Sequence, residues 1–140
     1  MMENNRALHS LAVGKKMYEI GKEYNLSEKE LEDLFILGTN HDIGYEYTEN
    51  GVNHAVVGGE ILKRNGYKYW QEVYYHGDIK NEYNSLYLEI LNKADMQIDI
   101  NGNDVGYEKR LLDIKNRHGE NSEDYKRCKK VIENILGHEM

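Results

Sequence analysis

The sequence contains no proline, a single cysteine, Cys128, and no long apolar run. One cysteine cannot form a disulfide within the chain, so the fold must be stabilised by a hydrophobic core. No apolar stretch approaches the roughly 20 residues that a membrane-spanning helix requires. The first ten residues, MMENNRALHS, lack the charged and apolar regions of a secretory signal. These absences predict a cytoplasmic protein with no membrane role.

Positive charge is also scarce, because 18 Lys and Arg residues against 25 Asp and Glu residues give a formal charge of −7. The basic residues are scattered among acidic neighbours, so the long-range field repels a phosphate backbone. We therefore expect no duplex nucleic acid as a partner. A small anionic metabolite stays compatible with this charge, because a bound divalent cation dominates the field around it.

Helical periodicity is the strongest pattern that the sequence contains. Ser27 and Glu30 form a capping box at the start of one helix, and Asn53 is placed to cap the next. No stretch alternates as a strand does, so the predicted class is all-α, a bundle of about six to seven helices. With 140 residues and no linker, one domain, 1–140, is expected. The predicted helices are about 4–24, 27–44, 53–65, 69–77, 82–100, 104–118 and 121–137.

Four histidines and one aspartate lie in the apolar stripes of these helices, where a polar side chain becomes buried. His9 begins the stripe of the first helix, His41 ends that of the second, and His54 begins that of the third. His76 follows the apolar residues of the fourth helix, and Asp95 lies in the stripe of the fifth. Five separate helices thus direct an imidazole or a carboxylate toward a common interior.

A metal site explains this pattern. Burying an ionised carboxylate is costly unless it is paired or bound to a metal, and no Lys or Arg occupies a compensating position in these stripes. Imidazole and carboxylate ligands together suit Mn, Fe, Co, Ni or Zn, and without thiolate ligands a structural zinc site of the finger type is excluded. One such histidine is more often an ordinary core residue, but five positions together, including the pair His41-Asp42, favour a metal. His118 and His138 lie near helix ends among charged residues and are interpreted as surface residues.

Three segments resemble the ligand motifs of the HD-domain phosphohydrolases, which are helical bundles with metal ligands in the order His, His-Asp, Asp. The segment N-H-D-I-G at 40–44 resembles the family signature, R-A-L-H-S-L-A-V at 6–13 the first-ligand helix, and K-A-D-M at 93–96 the last-ligand segment. The resemblance implies a metal site formed by His9, His41, Asp42 and Asp95.

Two further segments resemble the additional histidine motifs of family members that hold two metals: N-H-A-V-V-G-G-E-I-L at 53–62 and Y-Y-H-G at 74–77. The resemblance implies that His54 and His76 bind a second ion and that Asp42 bridges the two. One or two divalent transition-metal ions per chain are therefore expected. The resemblance covers about residues 6–100, with additional C-terminal helices at about 104–137.

The activity that the resemblance implies is metal-dependent hydrolysis of a phosphate ester by a metal-activated hydroxide. Asp42 is the candidate catalytic residue, because its carboxylate could accept a proton from the attacking water. Lys93 and Arg110 are candidates to bind phosphate oxygens, with a solvated surface charge as the alternative for both. The expected partner is a nucleotide or another small phosphorylated metabolite, and Tyr45, Tyr47 and Trp70 are candidates to stack on a base.

Other functions stay open at this point. Relatives with the same six ligands hold two irons and activate dioxygen, so a di-iron HD-domain oxygenase is one alternative. A non-catalytic regulatory domain that binds a nucleotide is another. A nuclease ranks last, because the acidic composition offers no basic, aromatic-lined groove for a single strand. A homodimer is compatible with the sequence but is not required by it.

Overall fold

The computed structural model describes residues 4–49, 51, 53–78 and 82–139, with side chains described for residues 6–137 of these ranges. Seven α-helices account for most of this part of the chain, and a 3-10 helix, Ile43–Tyr47, follows the second. Within the described ranges the only β pairing is an isolated bridge between Ile98 and Asp104. The prediction of an all-α fold is confirmed. The helices are α1 Asn4–Glu23, α2 Glu28–Asn40, α3 His54–Arg64, α4 Trp70–Tyr75, α5 Leu86–Asp95, α6 Gly106–His118 and α7 Glu123–Glu139.

Local signals explain the starts of two helices, α2 and α5. The Ser27 hydroxyl accepts a hydrogen bond from the Glu30 amide at 3.2 Å, and the Glu30 carboxylate accepts one from the Ser27 amide at 3.1 Å, as the capping box predicts. The prediction that Asn53 lies at the N-cap of α3 is confirmed, but the side-chain hydrogen bond expected there is not formed. Asn53 lies at the N-cap position in the left-handed region, with φ of 57°, and its side chain makes no capping hydrogen bond.

Two helices are shorter than the periodicity predicts. The second ends at Asn40, and Gly44 lies within the following 3-10 helix instead of ending α2. The fifth was expected at 82–100 but begins after Ser85, whose hydroxyl caps Leu88 at 3.0 Å, and ends at Asp95. Beyond it the Asp99 carboxylate accepts hydrogen bonds from two backbone amides at 2.9 Å each and turns the chain back.

The main core lies between α1, α2, α4 and α5. α1 and α2 form a hairpin with close backbone contact, because a Cβ on Gly38 would lie 2.5 Å from the Gly14 Cα. Val13, Met17, Leu34, Leu37, Val73, Ile90 and Leu91 are fully buried in this core. A second apolar cluster joins the end of α5 to α6 and α7, through Met96, Ile114, Cys128, Val131, Ile132 and Ile135. The two clusters place α6 and α7 beside the helix ends that carry the polar interior residues.

Among the described helices, none is both long enough and apolar enough to cross a lipid bilayer. The His138 side chain lies outside the described residues, so its prediction as a surface residue is not addressed by the structure.

Candidate metal centre

The six residues that the sequence singled out converge on one point between the helices. His9 comes from α1, the pair His41-Asp42 follows α2, His54 begins α3, His76 follows α4, and Asp95 ends α5. All are buried except His54, whose side chain keeps 16% of its surface exposed. Most of these groups therefore lie at a helix end or directly after one.

Three of the residues form a buried group of possible metal ligands. His9 Nε2 lies 2.9 Å from Asp95 Oδ1, and His41 Nε2 lies 3.4 Å from the same oxygen. All of these donor atoms lie within 4.8 Å of one another, which is a separation that one metal ion can span. His9, His41 and Asp95 could thus hold one ion together.

Asp42 lies between this group and the two other histidines, and its carboxylate oxygens point to different sides. Asp42 Oδ2 is 3.2 Å from His41 Nε2 and 3.6 Å from His9 Nε2. Asp42 Oδ1 is 3.3 Å from His54 Nε2 and 3.6 Å from His76 Nε2. One carboxylate oxygen thus faces each pair of imidazoles, and His41, Asp42 and His76 form a second buried group of possible metal ligands.

Backbone carbonyl groups orient all four imidazole rings. A histidine that donates its Nδ1–H to a carbonyl presents the Nε2 lone pair, which is the form that binds a metal. The Nε2 atom of His41 is fully buried and makes no hydrogen bond, although the Asp42 carboxylate lies within ion-pair distance. These features fit a bound cation. The Nδ1 contacts are His9 to the Asp99 oxygen at 3.0 Å, His41 to Gly38 at 2.6 Å, His54 to Gly51 at 3.0 Å and His76 to Val73 at 2.6 Å.

The charges in the cluster are strongly coupled. Burial opposes protonation of His41, but the carboxylates of Asp42 and Asp95 outweigh it and raise the pKa of this imidazole to about 10. Burial also opposes ionisation of Asp42 and Asp95, but His41 holds the pKa of both carboxyl groups well below its usual value. Burial lowers the pKa of His76. The two buried carboxylates therefore require positive charge at this point, which the guanidinium groups of Arg6 and Arg110 supply together with either a proton or a metal cation.

Arg6 belongs to the site, and together with Arg110 it shows that the expectation of no compensating basic residue beside the buried carboxylates is wrong. Its Nη1 atom donates to Asp42 Oδ2 at 3.2 Å, and its guanidinium lies over the Tyr45 ring, 3.8 Å from the centroid. The Tyr45 ring packs on the His54 imidazole with 4.3 Å between centroids. The available signal was spacing, because Arg6 precedes His9 by three residues and so lies on the same face of α1.

The two candidate phosphate-binding residues lie in different places. Arg110 is buried, with Nε donating to the Asp95 carbonyl oxygen at 3.1 Å and Nη2 lying 3.5 Å from the Asp95 carboxylate. Lys93 donates to the Tyr24 hydroxyl at 3.0 Å and lies 3.6 Å from Glu89, outside the cavity described next. The structure thus brings Arg110 to the cluster and directs Lys93 elsewhere.

A cavity of about 690 Å³ opens from the cluster between α3 and the C-terminal helices. Its lining includes Asp42, His54, His76 and Asp95, together with Tyr45. Of the other two candidate stacking aromatics, Tyr47 is 61% exposed and Trp70 packs on Tyr74, and neither lines the cavity. The basic residues of the lining are Arg6, Arg110, Arg117, Lys126, Arg127 and Lys130. The volume is in the range of pockets that hold small metabolites.

Comparison with known proteins gives one family match. The model of the HD domain matches residues 6–132, which extends well beyond the residues 6–100 on which the sequence resemblance depended. Curated proteins and solved structures gave no match. HD domains bind divalent metals, and the buried groups that could hold an ion lie within the matched range. Because the match covers nearly the whole chain, the protein belongs to the HD domain family, within the superfamily of metal-dependent phosphohydrolases.

Proposed function

We propose that this protein hydrolyses a nucleotide or another small phosphate ester with the help of divalent metal ions. The observation that carries the proposal is the division of the Asp42 carboxylate between two pairs of imidazoles at the floor of a cavity with basic walls. A phosphate ester brings negative charge to such a cavity and oxygen ligands to such a cluster.

In this proposal each side of Asp42 serves one ion. His9, His41 and Asp95 would hold the first ion, His54 and His76 would hold the second, and Asp42 would offer one carboxylate oxygen to each. The mixture of imidazole and carboxylate donors suits Mn, Fe, Co, Ni or Zn. The chemistry that such ions would supply at this cluster is Lewis acidity toward a phosphate oxygen and a lower pKa for the attacking water.

The protein itself supplies orientation and charge. Arg6 and Arg110 both line the cavity and both contact a carboxylate of the cluster, so their remaining N–H groups are placed to donate to phosphate oxygens. Asp42 is also our candidate to accept a proton from the attacking water. That role requires a carboxylate oxygen of Asp42 that is not committed to a metal ion.

The experiment is a joint measurement of metal content and phosphate release. The purified protein is loaded with Mn or Fe and incubated with nucleotides and small phosphate esters, and Asp42→Ala is compared with Glu133→Ala. Glu133 is an exposed carboxylate on α7, so its loss is a matched control for charge and truncation. We expect bound metal and phosphate release in the wild type and in Glu133→Ala, and loss of both in Asp42→Ala.

Other outcomes point to the alternatives. Tight metal binding with no phosphate release from any ester contradicts hydrolysis, and an oxygen-dependent product under Fe then identifies a di-iron oxygenase. Nucleotide binding without any turnover identifies a regulatory domain. A wild-type protein that retains no metal after loading contradicts the central proposal.

A further inference from the structure

The cavity has a basic wall on the side of α6 and α7, which we define as Arg110, Arg117, Lys126, Arg127 and Lys130. Glu123 and Asp124 line the same side, and Asp113 lies behind Arg110. Five basic side chains thus accompany three carboxylates, in a chain whose formal charge is −7. Positive charge is therefore concentrated on this side of the cavity, whereas the carboxylates of Asp42, Asp78 and Asp95 line the rest of it.

Two carboxylates on this side of the cavity each pair with two basic side chains, so they do not occupy all the N–H donors of the arginines. Asp113 Oδ2 lies 3.1 Å from Arg110 Nη1, while its Oδ1 lies 3.6 Å from Arg117 Nε. Asp124 likewise lies 3.1 Å from Arg127 Nη2 and 3.5 Å from His118 Nδ1. A guanidinium has five N–H donors, so each of these arginines keeps donors for a ligand in the cavity.

Positive groups on this side of the cavity also repel one another. The Arg117 side chain is only 29% exposed, and burial lowers its pKa: Asp113 opposes this effect, while the nearby Arg110 and Arg6 add to it. Burial and the adjacent Arg117 lower the pKa of His118 in the same way. Cations that are partly desolvated and crowded together are stabilised when an anion binds among them.

Arg117 and Arg127 differ from Arg6 and Arg110 in the carboxylates that they contact. Arg110 contacts Asp95, and Arg117 is linked to Arg110 through Asp113. Arg127 is linked to the same side of the cavity, because Asp124 pairs with both Arg127 and His118, the residue that follows Arg117. A phosphate ester at the cluster is served by Arg6 and Arg110, which leaves Arg117 and Arg127 for a second group.

We propose that Arg117 and Arg127 form an anion subsite for a second phosphate group, so that the substrate is a small compound carrying two or more phosphate groups. This inference rests on the proposed hydrolase function, because that function places the first phosphate at the metal cluster. The subsite discriminates by charge and by distance, since a monoester leaves both guanidinium groups without their ligand.

The test uses metal-loaded protein and probes that are not hydrolysed. Dissociation constants of alkane-α,ω-bisphosphonates with one to five methylene groups are measured by calorimetry and compared with those of alkylphosphonates of equal length. The readout is the ratio between the two constants in the wild type, Arg117→Gln, Arg127→Gln and Arg64→Gln. Arg64 is an exposed arginine at the end of α3, outside the cavity, so Arg64→Gln matches the charge change. Circular dichroism and metal content show that each variant is folded and loaded.

In the wild type and Arg64→Gln, we expect a bisphosphonate of one favoured length to bind at least about tenfold more tightly than its monophosphonate. The preference should largely disappear in Arg117→Gln and Arg127→Gln. An equal preference in all four proteins means that the metal ions alone chelate the bisphosphonate and overturns the inference, as does no preference in the wild type. Phosphate release is measured separately. A preference for the bisphosphonate without hydrolysis of any ester contradicts the proposed function but supports the subsite. Hydrolysis without this preference supports the proposed function but contradicts the subsite.

Discussion

The Nε2 atoms of His54 and His76 lie 3.2 Å apart, while the Nδ1 atom of each ring lies within hydrogen-bonding distance of a backbone carbonyl oxygen. If each Nδ1–H donates to its carbonyl, both Nε2 atoms present lone pairs to each other and to Asp42 Oδ1. Lone pairs at this distance repel unless a proton or a cation lies among them. This pair therefore needs a proton or a cation between its Nε2 atoms, and a second metal ion would supply it.

Replacing His76 tests that expectation. In His76→Ala we expect the protein to lose the ion shared by His54, His76 and Asp42 but to retain the ion held by His9, His41 and Asp95. The measurement is metal per chain by plasma mass spectrometry after loading and desalting. His118→Ala is the control, because His118 pairs with Asp124 and is not part of the cluster. Equal metal content in the wild type and His76→Ala contradicts the two-ion arrangement.

Removing the metal should destabilise the fold. An ion that binds only the native cluster stabilises it by mass action, by about 2.7 kcal/mol when its free concentration is 100 times its Kd. We expect a chelator to lower the Tm of the loaded wild type by at least about 5 °C, and added Mn to restore it. In Asp42→Ala the chelator should have little further effect. A wild-type Tm that does not respond to the chelator contradicts a metal in this cluster.

Gly44 is placed where only glycine fits. A Cβ there would overlap the backbone carbonyl of His54, so Gly44→Ala must push α3 away from the 3-10 helix. We expect a loss of about 1–3 kcal/mol in the free energy of unfolding, measured with urea. Gly137→Ala is the control, because a Cβ at this position in α7 meets nothing within 4 Å. Alanine should stabilise that helix by about 0.5–1 kcal/mol, so the two variants should shift stability in opposite directions.

Arg110 contacts both the backbone carbonyl oxygen and the carboxylate of Asp95, and so positions this residue. In Arg110→Met we expect metal affinity to fall about 10- to 100-fold, because a group that orients a ligand is lost and Asp113 is left with less positive charge. Lys109→Met is the matched control, since Lys109 directly precedes Arg110 on α6 and is exposed. Metal affinities are compared by competition with a chromophoric chelator. Similar affinities in the two variants mean that Arg110 does not support the metal site.

The helical class and the positions of the polar interior residues could be predicted from sequence because both depend on local regularities. Apolar residues at helical spacing define each buried face, and His9, His41 and Asp95 interrupt those faces with groups that are costly to bury alone. The capping box at Ser27 is equally local. Helix ends were less predictable: the turn after Asp95 depends on hydrogen bonds to the Asp99 side chain, which periodicity does not report.

Contacts between distant parts of the chain decided the rest. Arg6 and Arg110 carry charge, and charged residues are exposed by default, so only the packing of α1 and α6 shows that they contact Asp42 and Asp95. Lys93 is a basic residue like Arg110, and the sequence made both candidates to bind phosphate. The position of Lys93 on α5 nevertheless brings it to Tyr24. The basic wall is a further case, because its members appear in the sequence among acidic neighbours and face one cavity only after folding.

The sequence by itself determined the helices, the family resemblance and the six residues of the cluster, because side-chain chemistry and helical spacing are properties of short segments. Only the tertiary structure decided how the Asp42 carboxylate is divided, which backbone carbonyl orients each imidazole, and which basic residues surround the cavity. These features depend on distances between helices. Such distances follow from the packing of the whole core and not from any one segment.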